Sequence, residues 1–499
     1  GELLWVKLYG GSDEDIAHSI IETNDGGFAV LGNTKSNDGD ISGKNTSDRD
    51  WFFLKLDHNG DVLWKKVYGG SGDDHGHSVI QTQDGGYILV GYTSSKDGDI
   101  NPNDGFDDIK LNGDPHDNWI IKTDPFGNII WEDVYGFKGH DHAYSIIPTA
   151  DGGYFFNGFL DVTSSQGEGN DYVESRKHHG VGEFWCHKID SNGNLQWRKY
   201  YGGTNNDRSY DAIETEDGDF LIIGTSESLD IDISSPKGSY DIWAILVNSK
   251  GEMIWENSYG GSGIDQAKAV IKDFNGNYKI IGSSFSQDKD VSNPKGNSDI
   301  WLVTIDKFGN LLSEISFGGS DFDSGMALVE SFDKSIFMTG HSRSSDIDFT
   351  YNAGENDIVL LHISPVGELI ETFLLGGNND DIGNDIIQTS KGKIVIFTLE
   401  TDKNEIPTFK LMKTKLDQSL QRDKKILEII KNLYPHRVKK KFVFNVKIGK
   451  TKYLEMVKNR YISTLISLSK KQLDQGIREI ELKNKRVLRF KDRLICIIL

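Results

Sequence analysis

The side chains in this sequence that could do chemistry are its 13 histidines and 76 acidic residues, and most of the histidines fall between residues 75 and 187. His75 follows Asp74, His142 follows Asp141, and His77 stands two residues beyond His75. Imidazole nitrogens and carboxylate oxygens bind zinc and other transition metals, so Asp74, His75, His77, Asp141 and His142 form a candidate metal set with room for a water. His116, His178 and His179, with the aromatic Phe106 and Tyr172, are candidate ligand contacts. They lie in or beside the two longest polar segments, residues 94–116 and 161–183.

The aspartates repeat. Asp15, Asp74, Asp141, Asp207, Asp265, Asp323 and Asp381 each stand six residues after an aromatic or apolar anchor. Further on come Asp38-Gly39-Asp40, Asp97-Gly98-Asp99, Asp230-Ile231-Asp232, Asp288-Lys289-Asp290 and Asp346-Ile347-Asp348. Closely spaced carboxylates can supply the six to eight oxygens that calcium takes. An aspartate accepting backbone N–H bonds at a turn explains the same repetition without a ligand. No nucleophile elbow, catalytic cysteine context or Walker motif is present. With so many carboxylates, a pair at glycosidase spacing is easily formed, which leaves a polysaccharide hydrolase or lyase as the alternative to a binding protein.

The elements that must position these residues are copies of one unit. The anchors Tyr9, Tyr68, Tyr135, Tyr201, Tyr259, Phe317 and Leu375 are each followed by Gly, usually Gly-Gly, at steps of 58 to 67 residues. Each unit reads as four short strands, a to d, separated by Asp-Gly-Gly and Asn-Gly turns whose residues tolerate positive φ. That length and pattern suit a propeller blade. The chain opens with a spare d-like strand at residues 3–8. The last unit offers a, b and c strands (385–389, 393–399, 408–416) but no d. The expectation is an all-β, seven-bladed β-propeller closed by the N-terminal strand. In it the d-to-a and b-to-c connections emerge on one face, which carries the aspartates and the two long loops. All ten tryptophans sit on c or d strands, where blade-to-blade packing explains them.

The phrases W-x-K-x-Y-G-G-S-x-x-D, T-x-D-G-G-F and D-x-W-x-x-K-x-D-x-x-G resemble the seven-bladed propeller repeats of secreted or surface-attached bacterial proteins, over residues 1–417. The resemblance implies an extracytoplasmic scaffold binding protein or glycan, and brings no fixed catalytic residues. Units six and seven depart from the pattern, with Ser313 and Glu371 where a d-strand Trp would fall. Residues 418–499 form a second domain, read as a small α/β appendage with helices at 424–433, 453–465 and 471–483 and strands at 442–448 and 487–498. Its phrase Lys458-Asn459-Arg460-Tyr461-Ile462-Ser463-Thr464-Leu465, with Phe490-Lys491-Asp492-Arg493, resembles the C-terminal end of class I S-adenosylmethionine-dependent methyltransferases. The strand, Gly-rich turn and helix that would hold that cofactor are missing, so no methyl transfer is expected.

Composition narrows the classes. The chain has 36% hydrophobic residues, 55 Gly and 9 Pro, which is an ordered, turn-rich protein. Two cysteines, Cys186 and Cys496, make no disulfide framework. No apolar stretch reaches the roughly 18 residues of a membrane span. From Gln418 onward there are 22 basic and 7 acidic residues, although the net charge of the whole is −21. The acidic repeats should repel nucleic acid, and the basic tail could dock on them.

Overall fold

The computed structural model describes residues 7, 9–11, 13–41, 48–101, 116–137, 139–165, 179–376 and 381–390, together with the strands at 398–399, 438–449 and 487–498. The chain divides into two compact units, Asp13–Gln388 and a second made of Gly1–Ser12 with Thr389–Leu499.

The first unit is a β-propeller with six four-stranded antiparallel sheets among the described residues. Blade one is β1 (Asp15–Glu22), β2 (Phe28–Thr34), β3 (Asp50–Leu56) and β4 (Val62–Tyr68); blade two is β5 (Asp74–Gln81), β6 (Tyr87–Thr93), β7 (Asp117–Thr123) and β8 (Ile129–Tyr135). Blade three comprises β9 (His142–Pro148), β10 (Tyr154–Leu160), β11 (Glu183–Ile189) and β12 (Leu195–Tyr201), with a short helix α1 (Val162–Ser165). Blade four is β13 (Asp207–Glu214), β14 (Phe220–Ser226), β15 (Asp241–Val247) and β16 (Met253–Tyr259). Blade five is β17 (Asp265–Lys272), β18 (Tyr278–Ser284), β19 (Asp299–Ile305) and β20 (Leu311–Phe317); blade six is β21 (Asp323–Glu330), β22 (Ile336–Ser342), β23 (Asp357–Ile363) and β24 (Leu369–Leu375). The β2 and β3 strands and their equivalents are buried on both sides, as the middle strands of stacked sheets must be.

Two tryptophan rows hold neighbouring blades together. Trp51, Trp119, Trp185, Trp243 and Trp301 on the third strands are fully buried. On the fourth strands, Trp64, Trp131, Trp197 and Trp255 lie against the hairpin glycine of the next blade. A β-carbon at Gly127, Gly193, Gly251 or Gly309 would come within about 3.2 Å of that indole, and each glycine has φ between 71° and 88°. The anchor tyrosines reach the same hairpins: the hydroxyls of Tyr68, Tyr201 and Tyr259 donate to the carbonyls of Gly127, Gly251 and Gly309, each at 2.6 Å. The tyrosine that ends one blade therefore latches the next.

Against the expected seven blades, six are formed among the described residues. Residues 385–389 form no strand, and Thr398–Leu399 (β25) pairs with β27 (Val487–Ile498), which also pairs with β26 (Val438–Gly449). The other strands proposed for a seventh blade lie outside the described residues, apart from Lys7, which is not in a strand. In place of a blade, the segment 381–388 runs between blades six and one. Asp381 N–H donates to Asn356 O (2.7 Å) and Gln388 Nε2 to Ser331 Oγ (2.8 Å) on one side. On the other, Asn384 Nδ2 donates to Ala17 O (2.9 Å) and Asp385 Oδ2 accepts from Ile20 N–H (2.9 Å). The physical reason is that an apolar run such as 393–399 fits any antiparallel partner, and periodicity does not choose which. The three helices expected in the tail lie outside the described residues.

Candidate functional site

The face carrying the b-to-c and d-to-a connections is built by the repeated aspartates. In blade two Asp97 Oδ1 accepts from Ser71 N–H (2.7 Å) and Asp99 Oδ2 from Gly69 N–H (3.1 Å). Blades five and six repeat this, with Asp288 on Ser262 N–H and Asp290 on Gly260 N–H, then Asp346 on Ser320 N–H and Asp348 on Gly318 N–H. The Asp-x-Asp carboxylates thus pin one loop to the other, and the middle residue must take left-handed backbone. Glycine does so at Gly98 (φ 73°), but Ile231 (φ 60°), Lys289 (φ 56°) and Ile347 (φ 56°) do so at a steric cost.

The anchor aspartates point inward. Asp74 accepts from Thr93 Oγ1 (2.5 Å), Ser95 Oγ (2.8 Å) and Gly70 N–H (2.9 Å), and burial pushes its carboxyl up to about 6. Asp141 accepts from the N–H groups of Phe137 (2.7 Å) and Asp161 (3.1 Å), and burial, with Asp117 nearby, raises it well above the usual carboxylate range. Both candidate ligands are therefore occupied as loop acceptors, turned into the protein.

Histidines converge beside them. At the four junctions from blade two to blade six the residue before the third strand bridges to the residue before the next anchor aspartate, and at the junction of blades two and three these are His116 and His140. Asp141 N–H donates to His116 O (2.6 Å), which fixes the pairing. His142 opens β9 immediately after. One nitrogen from each of His116, His140 and His142 falls within 4.8 Å of the others. His116 Nδ1 is 3.1 Å from His142 Nε2, and His142 Nδ1 is 3.2 Å from Tyr144 Oη. Burial, with His116 and His140 adding repulsion, pushes His142 down to about 2, so its ring is neutral at ordinary pH.

The cluster rests on an aromatic ladder. Tyr92 lies parallel to His75 (centroids 4.6 Å apart) and to His142 (3.7 Å). His142 then meets Phe159 at 4.6 Å, and Arg208 stands 4.8 Å from the Phe159 centroid. His75 Nδ1 is 3.2 Å from Asn33 Nδ2, and burial lowers its pKa to about 4.

Further in, each inner strand bulges at one residue, His18, His77, Tyr144, Tyr210, Lys268 or Met326, where the pairing skips. Four of these rings and one ammonium form a continuous row. His18 is 4.7 Å from His77, His77 5.0 Å from Tyr144, Tyr144 5.4 Å from Tyr210, and Lys268 Nζ 4.0 Å from the Tyr210 centroid. His77 belongs to this row, not to the three-histidine cluster, and burial holds its pKa well below the ordinary value.

Of the sequence-derived ligand contacts, His116 joins the cluster. His179 is buried, with Nδ1 3.2 Å from Glu183 Oε2 and its ring edge-on to Tyr200. His178, Phe106 and Tyr172 lie outside the described residues. His140 was the member missed as a ligand, and its signal is positional, since it directly precedes an anchor aspartate.

No family model matches this sequence, and no curated protein matches it, so the tail's resemblance to methyltransferases has no counterpart there. Among solved structures, the chain is similar to a Bacteroides caccae protein of unknown function (8% identity, 65% of this chain and 89% of that one, TM-score 0.37). It is also similar to Sqt1 from Chaetomium thermophilum (11%, 78% and 78%, 0.38) and to the Pan2 WD40 domain of Neurospora crassa (10%, 76% and 84%, 0.40). The sheets themselves define a β-propeller repeat protein. Among the described residues no helix is long and apolar enough to cross a membrane.

Proposed function

We propose that this protein is a binding scaffold acting outside the cytoplasm, which holds a protein or glycan on the face formed by the b-to-c loops. The observation carrying the reading is the Asp-x-Asp clamp. Its carboxylates are used to fix the loops, so the face is preorganised and little ordering entropy remains to oppose a ligand. On that fixed surface Ile231 and Ile347 are 51% and 59% exposed although their backbone conformation disfavours a β-branched residue. Folding gains nothing from an exposed isoleucine there, whereas a protein partner gains a rigid apolar contact. The location rests on the resemblance to secreted and surface repeats.

The test is affinity capture from extracellular protein and polysaccharide pools, with the full chain immobilised and a doubly substituted Ile231→Asp, Ile347→Asp chain beside it. A ligand retained by the first and lost by the second, at equal melting temperature, supports the proposal. Identical capture by both, or cleavage of a retained polysaccharide, defeats it.

A further inference from the structure

The geometry points to a transition-metal site at the junction of blades two and three, with His116, His140 and His142 as ligands for a zinc-like divalent ion. It is independent of the scaffold reading. Three imidazoles are a donor set for zinc, copper, nickel or cobalt, and three protein ligands leave a fourth position open to water or to a ligand group.

The separations fit. Two nitrogens bound to one tetrahedral zinc at about 2.0 to 2.1 Å lie roughly 3.3 Å apart. His116 Nδ1 and His142 Nε2 already stand at 3.1 Å. The third nitrogen is within 4.8 Å of both, and His140 is exposed, so its ring can turn inward without unpacking the core. Two ligands lie on backbone fixed by the interblade bond from Asp141 N–H to His116 O, which makes the site rigid on that side.

A supporting group is also in place. Tyr144 Oη at 3.2 Å from His142 Nδ1 can accept that nitrogen's proton, leaving the Nε2 lone pair directed at His116. At 3.1 Å that lone pair takes either a proton from His116 Nδ1 or, with His116 in its other tautomer, a cation between the two nitrogens. Phe159 and Tyr92 pack against the His142 ring and restrict its rotation. The interblade bridge itself does not require histidine, since Gly182 with Asn206 and Ser298 with Phe322 fill it elsewhere.

The experiment titrates the full, tag-free, chelator-treated chain with Zn²⁺ by calorimetry and with Co²⁺ by visible absorption. The expected result is one equivalent of Zn²⁺ and a Co²⁺ spectrum of tetrahedral or five-coordinate type. His140→Ala and His116→Ala should each weaken binding by more than about a hundredfold, and the positioning residue change Tyr144→Phe by about ten- to a hundredfold. His58→Ala, at an exposed hairpin histidine of blade one, should change nothing. Less than one equivalent, or His140→Ala binding as tightly as the unsubstituted chain while its apo melting temperature is unchanged, overturns the assignment. An octahedral Co²⁺ spectrum does so as well.

Discussion

Several blade junctions bury two carboxyl groups close together, one opening a third strand and the other opening the next inner strand, as do Asp50 with Asp74, Asp241 with Asp265 and Asp299 with Asp323. At Asp299 and Asp323 the anchor glycine lies between them: a β-carbon on Gly318 would sit 2.4 Å from Asp299 Oδ1 and 2.7 Å from Asp323 Oδ2. Burial raises both groups, Asp323 to about 6, with Asp299 adding repulsion. A carboxyl raised in the folded state contributes stability below its unfolded pKa near 4, and that contribution is lost as pH rises through about 6. Asp299→Asn removes one charge and keeps an acceptor for Lys295 N–H, which Asp299 Oδ2 holds at 2.6 Å. The variant should therefore melt higher than the unsubstituted protein at pH 8 and lose that advantage at pH 5. A constant difference across that range would show that the pair does not titrate. A second residue-scale case is Lys55 with Asp25, 2.9 Å apart, where hydrogen bonds from Thr23 and Lys55 outweigh desolvation and hold the exposed Asp25 near 2. Its contribution is present above pH 4 and fades toward pH 2, well outside the first window.

At the scale of the element, the fourth strand does two jobs, packing its tryptophan on the next hairpin and latching that hairpin by the anchor hydroxyl. Tyr259→Phe removes only the latch and leaves Gly309 O without it, which should cost about 1 to 2 kcal/mol in chemical denaturation. Blade five ends in Phe317 and has Ser313 in place of Trp, and Gly367 of the next hairpin meets Ile315 instead. Phe317→Tyr restores a hydroxyl facing that hairpin, and the expected gain is about 0.5 to 1.5 kcal/mol. If Phe317→Tyr destabilises while Tyr259→Phe does so too, the latch is not a modular feature of the repeat.

For the whole molecule, stability depends on how the ring is joined between blades six and one. Asp385 occupies the place in its repeat that Asp211 holds in blade four. Asp211 accepts from Ser145 Oγ (2.8 Å) and Val270 N–H (3.0 Å), tying three inner strands, and Asp385 accepts from Ile20 N–H. Asp385→Ala leaves a half-buried N–H on β1 without this acceptor and should cost about 1 kcal/mol. Hydrogen exchange should quicken in β1 before β13, because the lost bond lies at the joint. Asp385→Asn keeps an acceptor and should change little. Equal acceleration in every inner strand would mean the joint is no weaker than the rest of the ring.

The repeat was legible in the sequence because its causes are local. Turn glycines such as Gly26 and Gly127, the alternation of each strand, and the tryptophan rows all follow from contacts within a unit or between adjacent copies. The aspartate every unit shares was readable as a turn acceptor for the same reason. What the sequence could not decide was partner choice. The run 393–399 has the composition of a blade strand, yet Thr398 and Leu399 pair with Ile495 and Leu494, since backbone hydrogen bonding is blind to which apolar strand supplies it. The site has the same character: Asp74 and His77 look like ligands by spacing, but a bulge turns His77 into the inner row and three hydrogen bonds draw Asp74 inward. His116 and His140, far apart in sequence, meet because adjacent blades place equivalent residues side by side, and only tertiary packing makes that contact.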